Sequence, residues 1–103
     1  MNVKYIDAHC HIQFEQYAED DIELIERMRE DGVAGIVVGV DYESSKKAIA
    51  LAGKYEHLFA SVGTHPNNML DVRRPTSDVG RRTSNIRGLA NNSKVVAIGE
   101  CGL

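Results

Sequence analysis

The sequence predicts an α/β fold with parallel strands. Short apolar runs alternate along the 103 residues with segments whose apolar residues recur at helical spacing. The order is strand, helix, strand, helix, strand, a weak helix and strand, which favours parallel pairing through crossover connections. Neither a G-x-G-x-x-G nor a G-x-x-x-x-G-K-[ST] element occurs, so nucleotide-cradling folds are disfavoured. An open α/β sheet and part of a (β/α)8 barrel both fit this pattern.

The first half of the chain predicts a strand, a helix and a buried strand. Residues 3–8 form an apolar run that ends in two histidines. A helix is expected over residues 21–31, because Asp20 with a glutamate three residues later fits a capping box and Gly32 fits a C-terminal stop. Its apolar stripe comprises Ile22, Leu24, Ile25 and Met28. Residues 35–40 are nearly all apolar, which is typical of a strand buried on both faces of a parallel sheet.

A second helix and two more strands follow. The helix is expected over residues 43–55, with Asp41 or Ser44 as its N-cap. Apolar runs predict strands over residues 58–62 and 95–98. Each of these strands runs into a short polar segment that contains glycine.

The segment over residues 67–94 differs from the rest. It is rich in Asn, Ser, Arg and Gly, and its apolar residues are sparse. We expect a divergent, loop-rich segment with a weak helix over residues 84–91, although so long a loop is unusual within a compact domain. Its arginines are expected to lie in solvent rather than on a substrate; they are Arg73, Arg74, Arg81, Arg82 and Arg87.

Composition indicates one globular domain over residues 1–103. Hydrophobic residues make up 43% and charged residues 26%, values typical of soluble proteins. No apolar run approaches the roughly 20 residues that span a bilayer, and the N-terminus lacks a signal-peptide pattern. We therefore expect a cytoplasmic protein, or a nuclear one if the organism is eukaryotic. The net charge of -3 neither supports nor excludes a nucleic-acid substrate.

Residues with metal-binding or catalytic chemistry follow every expected strand. His9 and His11 follow the first strand, Asp41 the second, His65 the third and Glu100 the fourth. Alternate side chains of an extended backbone face the same way, so His9 and His11 can hold one metal ion, and imidazole suits zinc and other first-row metals. The ends of parallel strands meet at one edge, which is where a TIM barrel binds its ligands. The pattern therefore predicts a metal-dependent hydrolase.

Three sequence blocks resemble those of a known family. They are I-D-A-H-C-H at residues 6–11, V-G-T-H-P at residues 62–66 and V-V-A-I-G-E-C-G-L at residues 95–103. In this order and at these intervals they closely resemble the TatD-type metal-dependent deoxyribonucleases of the amidohydrolase superfamily. The resemblance covers residues 3–66 and 94–103. It implies a TIM barrel of roughly 260 residues, of which this chain resembles the first four parallel strands with their helices.

The resemblance also implies roles for individual residues. His9 and His11 match the pair that binds the first divalent metal, and Glu100 matches the carboxylate that binds or bridges two metals. His65 matches a histidine near the scissile phosphate, so Glu100 and His65 are the expected catalytic residues. Two ions of zinc, magnesium or manganese would activate a water for hydrolysis of DNA phosphodiesters. Single-stranded DNA is the favoured substrate, and no membrane partner is expected.

Other polar residues receive lesser roles. Asp41 is expected to cap a helix or to support a metal ligand rather than to bind the metal, and Asp7 to orient a histidine or to pair with a base. Cys10, which should face away from the histidines, and Cys101 are expected to be structural, since two cysteines are too few for a disulfide scaffold. His57 receives no catalytic role. Phe14 and Tyr17, in the loop after the first strand, are expected to pack over the strand end.

Two departures from the family affect the expected activity. Asn67 stands where the family usually has a second histidine. The chain also stops before the two histidines and the aspartate that supply later ligands in full-length members, so we expect an incomplete TatD-like domain with little activity alone. A half-barrel would leave its first and fourth strands as open edges, through which we expect self-association.

Two alternatives remain. Another amidohydrolase-like enzyme, which cleaves an amide or an ester, would share the two histidines. Many such enzymes carry a modified lysine where this chain has Glu100, which favours the nuclease. The other alternative is a non-catalytic half-barrel fragment that binds a partner chain.

Overall fold

The structure is a computed structural model of the chain, and it describes residues 2–15, 18–66 and 85–101. In these residues strands and helices alternate as the sequence predicts, up to the third strand. The bounds are β1 Tyr5–Cys10, α1 Asp21–Glu30, β2 Val33–Val38, α2 Tyr42–Lys54, β3 Leu58–Val62 and β4 Val95–Ile98. The predicted bounds of β3 and β4 are confirmed.

All four strands form one parallel sheet in the order β1-β2-β3-β4. Tyr5 pairs with Val33 across the first seam, and Val62 pairs with Ile98 across the last. Because neighbours in sequence are also neighbours in the sheet, the carboxyl ends of all four strands lie at the same edge. Among the described residues β1 and β4 each have one unpaired side.

The predicted bounds of β1 and β2 are each displaced by two residues. Both Lys4 and Tyr5 donate their backbone N–H groups to the carbonyl of Gly32, at 2.7 and 3.1 Å, so pairing starts at Tyr5 instead of Val3. At the other end of β2, the N–H of Val40 donates to Ser44 Oγ at 2.9 Å. The cap of α2 therefore takes the donor that a longer β2 would have used in the sheet.

Helix α1 begins without the predicted capping box. Asp20 has a helical conformation, with φ -111° and ψ -1°, and its side chain caps nothing. The prediction is wrong because an N-cap side chain reaches the first turn only from an extended backbone. The C-terminal stop is confirmed: Gly32 has φ +74°, a conformation that glycine adopts without strain.

Helix α2 begins with the predicted cap. Asp41 is extended, its Oδ1 accepts the N–H of Ser44 at 2.8 Å, and Ser44 Oγ in turn accepts the N–H of Asp41 at 3.1 Å. This reciprocal pair satisfies two backbone donors that a helix start would otherwise leave unpaired. Asp41 is thus held at the end of the sheet as a structural residue.

The hydrophobic core lies between one face of the sheet and the two helices. Val37 and Leu58, both fully buried, contribute about 1.5–3 kcal/mol each by their removal from water. Of the predicted α1 stripe, Ile25 is fully buried and Met28 packs on the core, whereas Ile22 is 65% exposed. The core cluster comprises Ile12, Ile25, Val37, Ala48, Ala52, Leu58 and Ala60.

Apolar side chains of the two edge strands remain exposed. Ile6 on β1 is 64% exposed, and Val96 and Ile98 on β4 are 53% and 57% exposed. Every residue of β1 except Cys10 is exposed, in contrast to the buried β2 and β3. The described sheet therefore has one covered face and two uncovered edges.

The predicted segment 67–94 is described only in its last part. Residues 85–89 are helical, within the weak helix predicted over residues 84–91. The rest of the predicted loop, over residues 67–84, lies outside the described residues, as do Tyr17 and Asn67. Across the described ranges, no helix has the length and apolar character that a membrane span requires.

Gly39, directly after β2, permits a close approach between β2 and α2. A Cβ at this position would lie 2.5 Å from Ser45 Cα and 2.7 Å from Ser45 N. Ser45 is fully buried, and its hydroxyl accepts the N–H of Gly63 at 3.3 Å. Because these are backbone atoms of α2, the helix itself would have to shift to make room for a Cβ.

We predict that Gly39→Ala lowers the free energy of unfolding by about 2 kcal/mol or more, because the added methyl overpacks a rigid contact. Gly53→Ala is the matched control, since a Cβ at this exposed position of α2 would meet nothing within 4 Å. It should stabilise the chain by about 0.5–1 kcal/mol through helix propensity. Urea unfolding of both variants measures the difference, and equal stabilities would contradict the predicted contact.

Candidate metal centre

The carboxyl edge of the sheet brings together the side chains that the sequence singled out. His9 lies in β1 and His11 directly follows it, while His65 follows β3 and Glu100 follows β4. His9 Nε2 lies 3.5 Å from Glu100 Oε1, and His11 Nε2 lies 4.0 Å from the same oxygen. One carboxylate oxygen is therefore shared by two imidazoles.

His9, His11 and Glu100 fit a metal ion. Their ligand atoms lie within 4.8 Å of one another. Ligands bonded to zinc at about 2.1 Å in a tetrahedral site lie about 3.4 Å apart, so small adjustments would close this group around one ion. Two histidines and a glutamate are also a known donor set for catalytic zinc.

Cys10 lies apart from the two histidines, in a part of β1 where the register with β2 shifts. Asp7 pairs with Gly35 but Cys10 pairs with Val37, so three residues of β1 span two residues of β2. Cys10 packs against the core, and its thiol donates to the carbonyl of Ile36 at 3.4 Å. Burial, and then the charge of Asp7, raise the pKa of Cys10 to about 11. The prediction that Cys10 faces away from the histidines is confirmed.

His11 is oriented by its second ring nitrogen. Nδ1 lies 2.8 Å from the carbonyl oxygen of Val38, the last residue of β2. A carbonyl oxygen only accepts, so Nδ1 carries the proton of this contact, and the tautomer that makes it has its lone pair on Nε2. Such a bond to the distal nitrogen is typical of metal-binding histidines.

Glu100 reaches the histidines because the end of β4 crosses the ends of β3 and β2. The N–H of Glu100 donates to the carbonyl of Gly39 at 3.2 Å, and the N–H of Gly99 donates to that of Val62 at 2.9 Å. A Cβ on Gly63 would lie 2.8 Å from the carbonyl carbon of Gly99 and would collide with the carbonyl oxygen of Glu100. A glycine at position 63 is therefore a condition for this crossing.

His65 faces the other side of the same carboxylate. Its Nε2 lies 3.8 Å from Glu100 Oε2, and its backbone N–H donates to the carbonyl of Val40 at 2.8 Å. The three-residue ligand group found in the described part of the chain does not include His65. His65 therefore lies next to the site without sharing the oxygen that His9 and His11 face.

The other predicted polar residues lie around the site or away from it. Asp7 Oδ1 accepts the backbone N–H of His9 at 3.1 Å, so it restrains the backbone of this histidine rather than its ring. His57 is buried at the opposite edge, where its ring contacts the carbonyl of Ile25 at 3.0 Å. Cys101, three residues after the end of β4, is exposed and lines a cavity beside Glu100, and its expected structural role stays a prediction.

A cavity of about 540 Å³ opens beside the carboxylate. His9, His65 and Glu100 line it together with apolar residues such as Ile36 and Ala97. Its volume lies within the range of roughly 300–1,000 Å³ that is typical of small-molecule sites. A substrate group of moderate size can therefore approach the ligand group from the uncovered face of the sheet.

Sequence reasoning did not assign a role to Gln13. Its Nε2 donates to the carbonyl of Val38 at 2.7 Å, the same oxygen that His11 Nδ1 contacts. Phe14, which was expected to pack over the strand end, stacks on the ring of His11 with centroids 4.4 Å apart. Only the position of Gln13, two residues after His11, could have suggested its part in the site.

Comparisons with known proteins agree with this arrangement. A family model described as TatD related DNase matches residues 6–103. The chain is 37% identical over 98 residues to the uncharacterized metal-dependent hydrolase YabD of Bacillus subtilis, covering 94% of this chain and 36% of the relative. It is 37% identical over 98 residues to the 3'-5' ssDNA/RNA exonuclease TatD of Cronobacter sakazakii, covering 94% of this chain and 35% of the relative.

A solved structure shows the same fold. The crystal structure of YjjV, a TatD homologue of Escherichia coli, superposes with a TM-score of 0.76 at 32% identity, covering all of this chain and 39% of that one. The described fold is accordingly a partial TIM barrel, as the resemblance implied, with four parallel strands. The chain spans between 35% and 39% of the length of these relatives.

Proposed function

The chain belongs to the TatD related DNase family, and from this membership we propose that it contributes one metal site to a phosphodiesterase that acts on DNA. The convergence of His9, His11 and Glu100 carries the proposal, since their ligand atoms lie within 4.8 Å of one another. In the whole protein, a divalent ion bound there would act as a Lewis acid and provide a water nucleophile at neutral pH. We further propose two such ions in full-length members, with Glu100 between them.

The donor set favours a transition metal. Imidazole nitrogen suits zinc better than magnesium, which prefers an all-oxygen shell. Glu100 has a second oxygen, Oε2, which points toward His65 instead of His9 and His11. This orientation leaves Glu100 able to serve two partners, one on each oxygen.

His65 has the right position for a substrate contact. It lies beside the cavity and 3.8 Å from the carboxylate, and it does not belong to the ligand group of the described residues. A ring N–H at this place can donate a hydrogen bond to a phosphate oxygen and hold it beside the ligand group. We propose this positioning role for His65 and the metal-binding role for Glu100, which together make up the expected catalytic pair.

We propose single-stranded DNA as the substrate class. Relatives of the chain are named 3'-5' ssDNA/RNA exonucleases. The chain itself carries a net charge of -3, so bound cations would have to offset the charge of the phosphate backbone. A single incomplete domain over residues 1–103 and a cytoplasmic location remain predictions.

Replacement of the shared carboxylate should weaken metal binding. We predict that Glu100→Gln lowers the affinity for Zn²⁺ and Mn²⁺ at least about tenfold, because it removes the negative charge that both histidines face. Isothermal titration of each ion into the intact chain measures the effect. Glu56→Gln is the matched control, since Glu56 lies at the opposite edge and lines a different cavity. Equal affinities of the two variants would refute the proposed ligand group.

Hydrolysis should require both metal and His9. With Mg²⁺, Mn²⁺ or Zn²⁺ added, we predict slow release of nucleotides from single-stranded DNA that His9→Ala abolishes. The rate should be far below that of a full-length relative, because the chain spans only 36% to 39% of such relatives. A panel of DNA, aryl esters and cyclic amides separates the substrate classes. Turnover of esters or amides without DNA cleavage would favour an amidohydrolase instead.

The open sheet edges should drive self-association. We propose that β1 and β4 pair with another copy of the chain, since within the described residues both present exposed apolar side chains beside an unpaired strand edge. Ile6→Lys should shift the mass measured by light scattering toward the monomer. Ile22→Lys is the matched control, because Ile22 is 65% exposed on α1 and Ile6 is 64% exposed on β1. A wild-type chain that stays monomeric at all concentrations would rule the pairing out.

A further inference from the structure

The turn that follows β1 has a compact structure of its own. The backbone N–H of Phe14 donates to the carbonyl of His11 at 3.0 Å, which closes a four-residue turn over residues 11–14. Ile12, within this turn, is 5% exposed and belongs to the hydrophobic core. The turn is therefore anchored from below by a buried side chain.

Gln13 ties the turn to two other elements. Its Nε2 donates to the carbonyl of Val38 at 2.7 Å and to that of Ser44 at 3.4 Å. These carbonyls lie at the end of β2 and in the first turn of α2, and both can only accept. A glutamine amide at this position matches them, whereas a carboxylate would place oxygen against oxygen. Gln13 thus fixes the turn against the same backbone oxygen that His11 contacts.

Phe14 covers one face of the His11 ring. The two rings are nearly parallel, with an interplanar angle of 18° and centroids 4.4 Å apart. His9 meets the same ring edge-on, at 4.9 Å and 85°. While Nδ1 contacts Val38, Nε2 on the opposite side of the His11 ring lies 4.0 Å from Glu100 Oε1.

We propose that Phe14 is a positioning residue for the metal ligand His11, and that Gln13 supports it by fixing the turn. The inference rests on the proposed metal-binding function. Phe14 has no atom that can bind a metal; it restricts ring rotation so that Nε2 of His11 faces the carboxylate before an ion arrives. Hydrogen-bonding partners that orient a ligand are worth about 10- to 100-fold in metal affinity, and we expect the lower end of this range for a stacked ring.

The contrast with His9 shows why such support is needed. The side chain of His9 is 56% exposed, against 26% for His11. In the described residues, the ring of His9 lies 3.5 Å from Glu100 Oε1 and makes a T-shaped contact with the ring of His11. The preorganised part of the ligand group is therefore the pair formed by His11 and Glu100, and Phe14 is the side chain that completes it.

The test uses three variants of the intact chain. Phe14→Leu removes the stack and keeps an apolar side chain, while Phe14→Tyr keeps the stack and should rescue the effect. Phe59→Leu is the matched control, because the other phenylalanine of the chain lies at the start of β3 under the Lys94 side chain, away from the site. Zn²⁺ titration should show about tenfold weaker binding for Phe14→Leu, with Phe14→Tyr and Phe59→Leu within about twofold of wild type.

A second measurement does not depend on metal. Long-range ¹H–¹⁵N correlation spectra of the metal-free chain, at a pH where imidazole is neutral, report the tautomer of each histidine. Wild type and Phe59→Leu should show His11 as a single form with the proton on Nδ1. Phe14→Leu should show exchange between the two tautomers, which a loss of global stability alone would not produce.

The outcomes are separable. Wild-type zinc affinity together with a fixed His11 tautomer in Phe14→Leu would overturn the inference. If wild type itself binds no zinc, the proposed function fails, and the spectra alone decide whether Phe14 positions the ring. If Phe14→Leu does not fold, Gln13→Met decides in its place, since it cuts the turn from Val38 and Ser44 and leaves the stack. Unchanged zinc affinity in that variant would overturn the inference as well.

Discussion

The candidate site depends on one close backbone approach, between Gly63 after β3 and the segment that carries Glu100 after β4. A side chain at position 63 would collide with that segment. The N–H of Glu100 continues across to the carbonyl of Gly39 and so ties the ends of β2 and β4 together. These contacts accompany the approach of the carboxylate to the imidazoles at the end of β1. His9 and His11, near the start of the chain, both face one carboxylate oxygen of Glu100, near its end. They meet because the strands are parallel and the segment after β4 crosses the ends of β3 and β2.

The sequence predicts the parts of the fold that local chemistry determines. The apolar runs of β3 and β4, the Asp41 cap and the Gly32 stop all follow from properties of a few adjacent residues. The capping box at Asp20 fails because the pattern of residue types is right but the backbone there is already helical. The bounds of β1 and β2 are displaced because the carbonyl of Gly32 and the hydroxyl of Ser44 accept backbone N–H groups at the strand ends. Which acceptor each N–H group finds depends on tertiary contacts that a short sequence pattern does not show.

The ligands of the candidate site could be predicted from the sequence, but the residues that support them could not. Residue type and position after a strand are visible in the sequence, and parallel strands bring such positions to one edge. The support around the ligands was less visible. The contact of Gln13 with Val38 depends on the path of the turn after β1, and the need for glycine at position 63 appears only once β4 has crossed over β3. Exposure of Cys101 likewise depends on where the chain leaves the sheet.

Within the ligand group, His11 and Glu100 are more firmly restrained than His9. His11 and Glu100 are held through backbone carbonyls of β2 and its loop, which lie in the interior of the sheet. His9 lies on β1, whose outer side is unpaired in the described residues and whose side chains are almost all exposed. An edge strand can move more than a strand with two partners, because half of its backbone groups bond to water instead of the sheet. A strand that pairs with the outer edge of β1 would therefore also restrain His9. The metal affinity of the site is thus physically linked to the pairing of this edge.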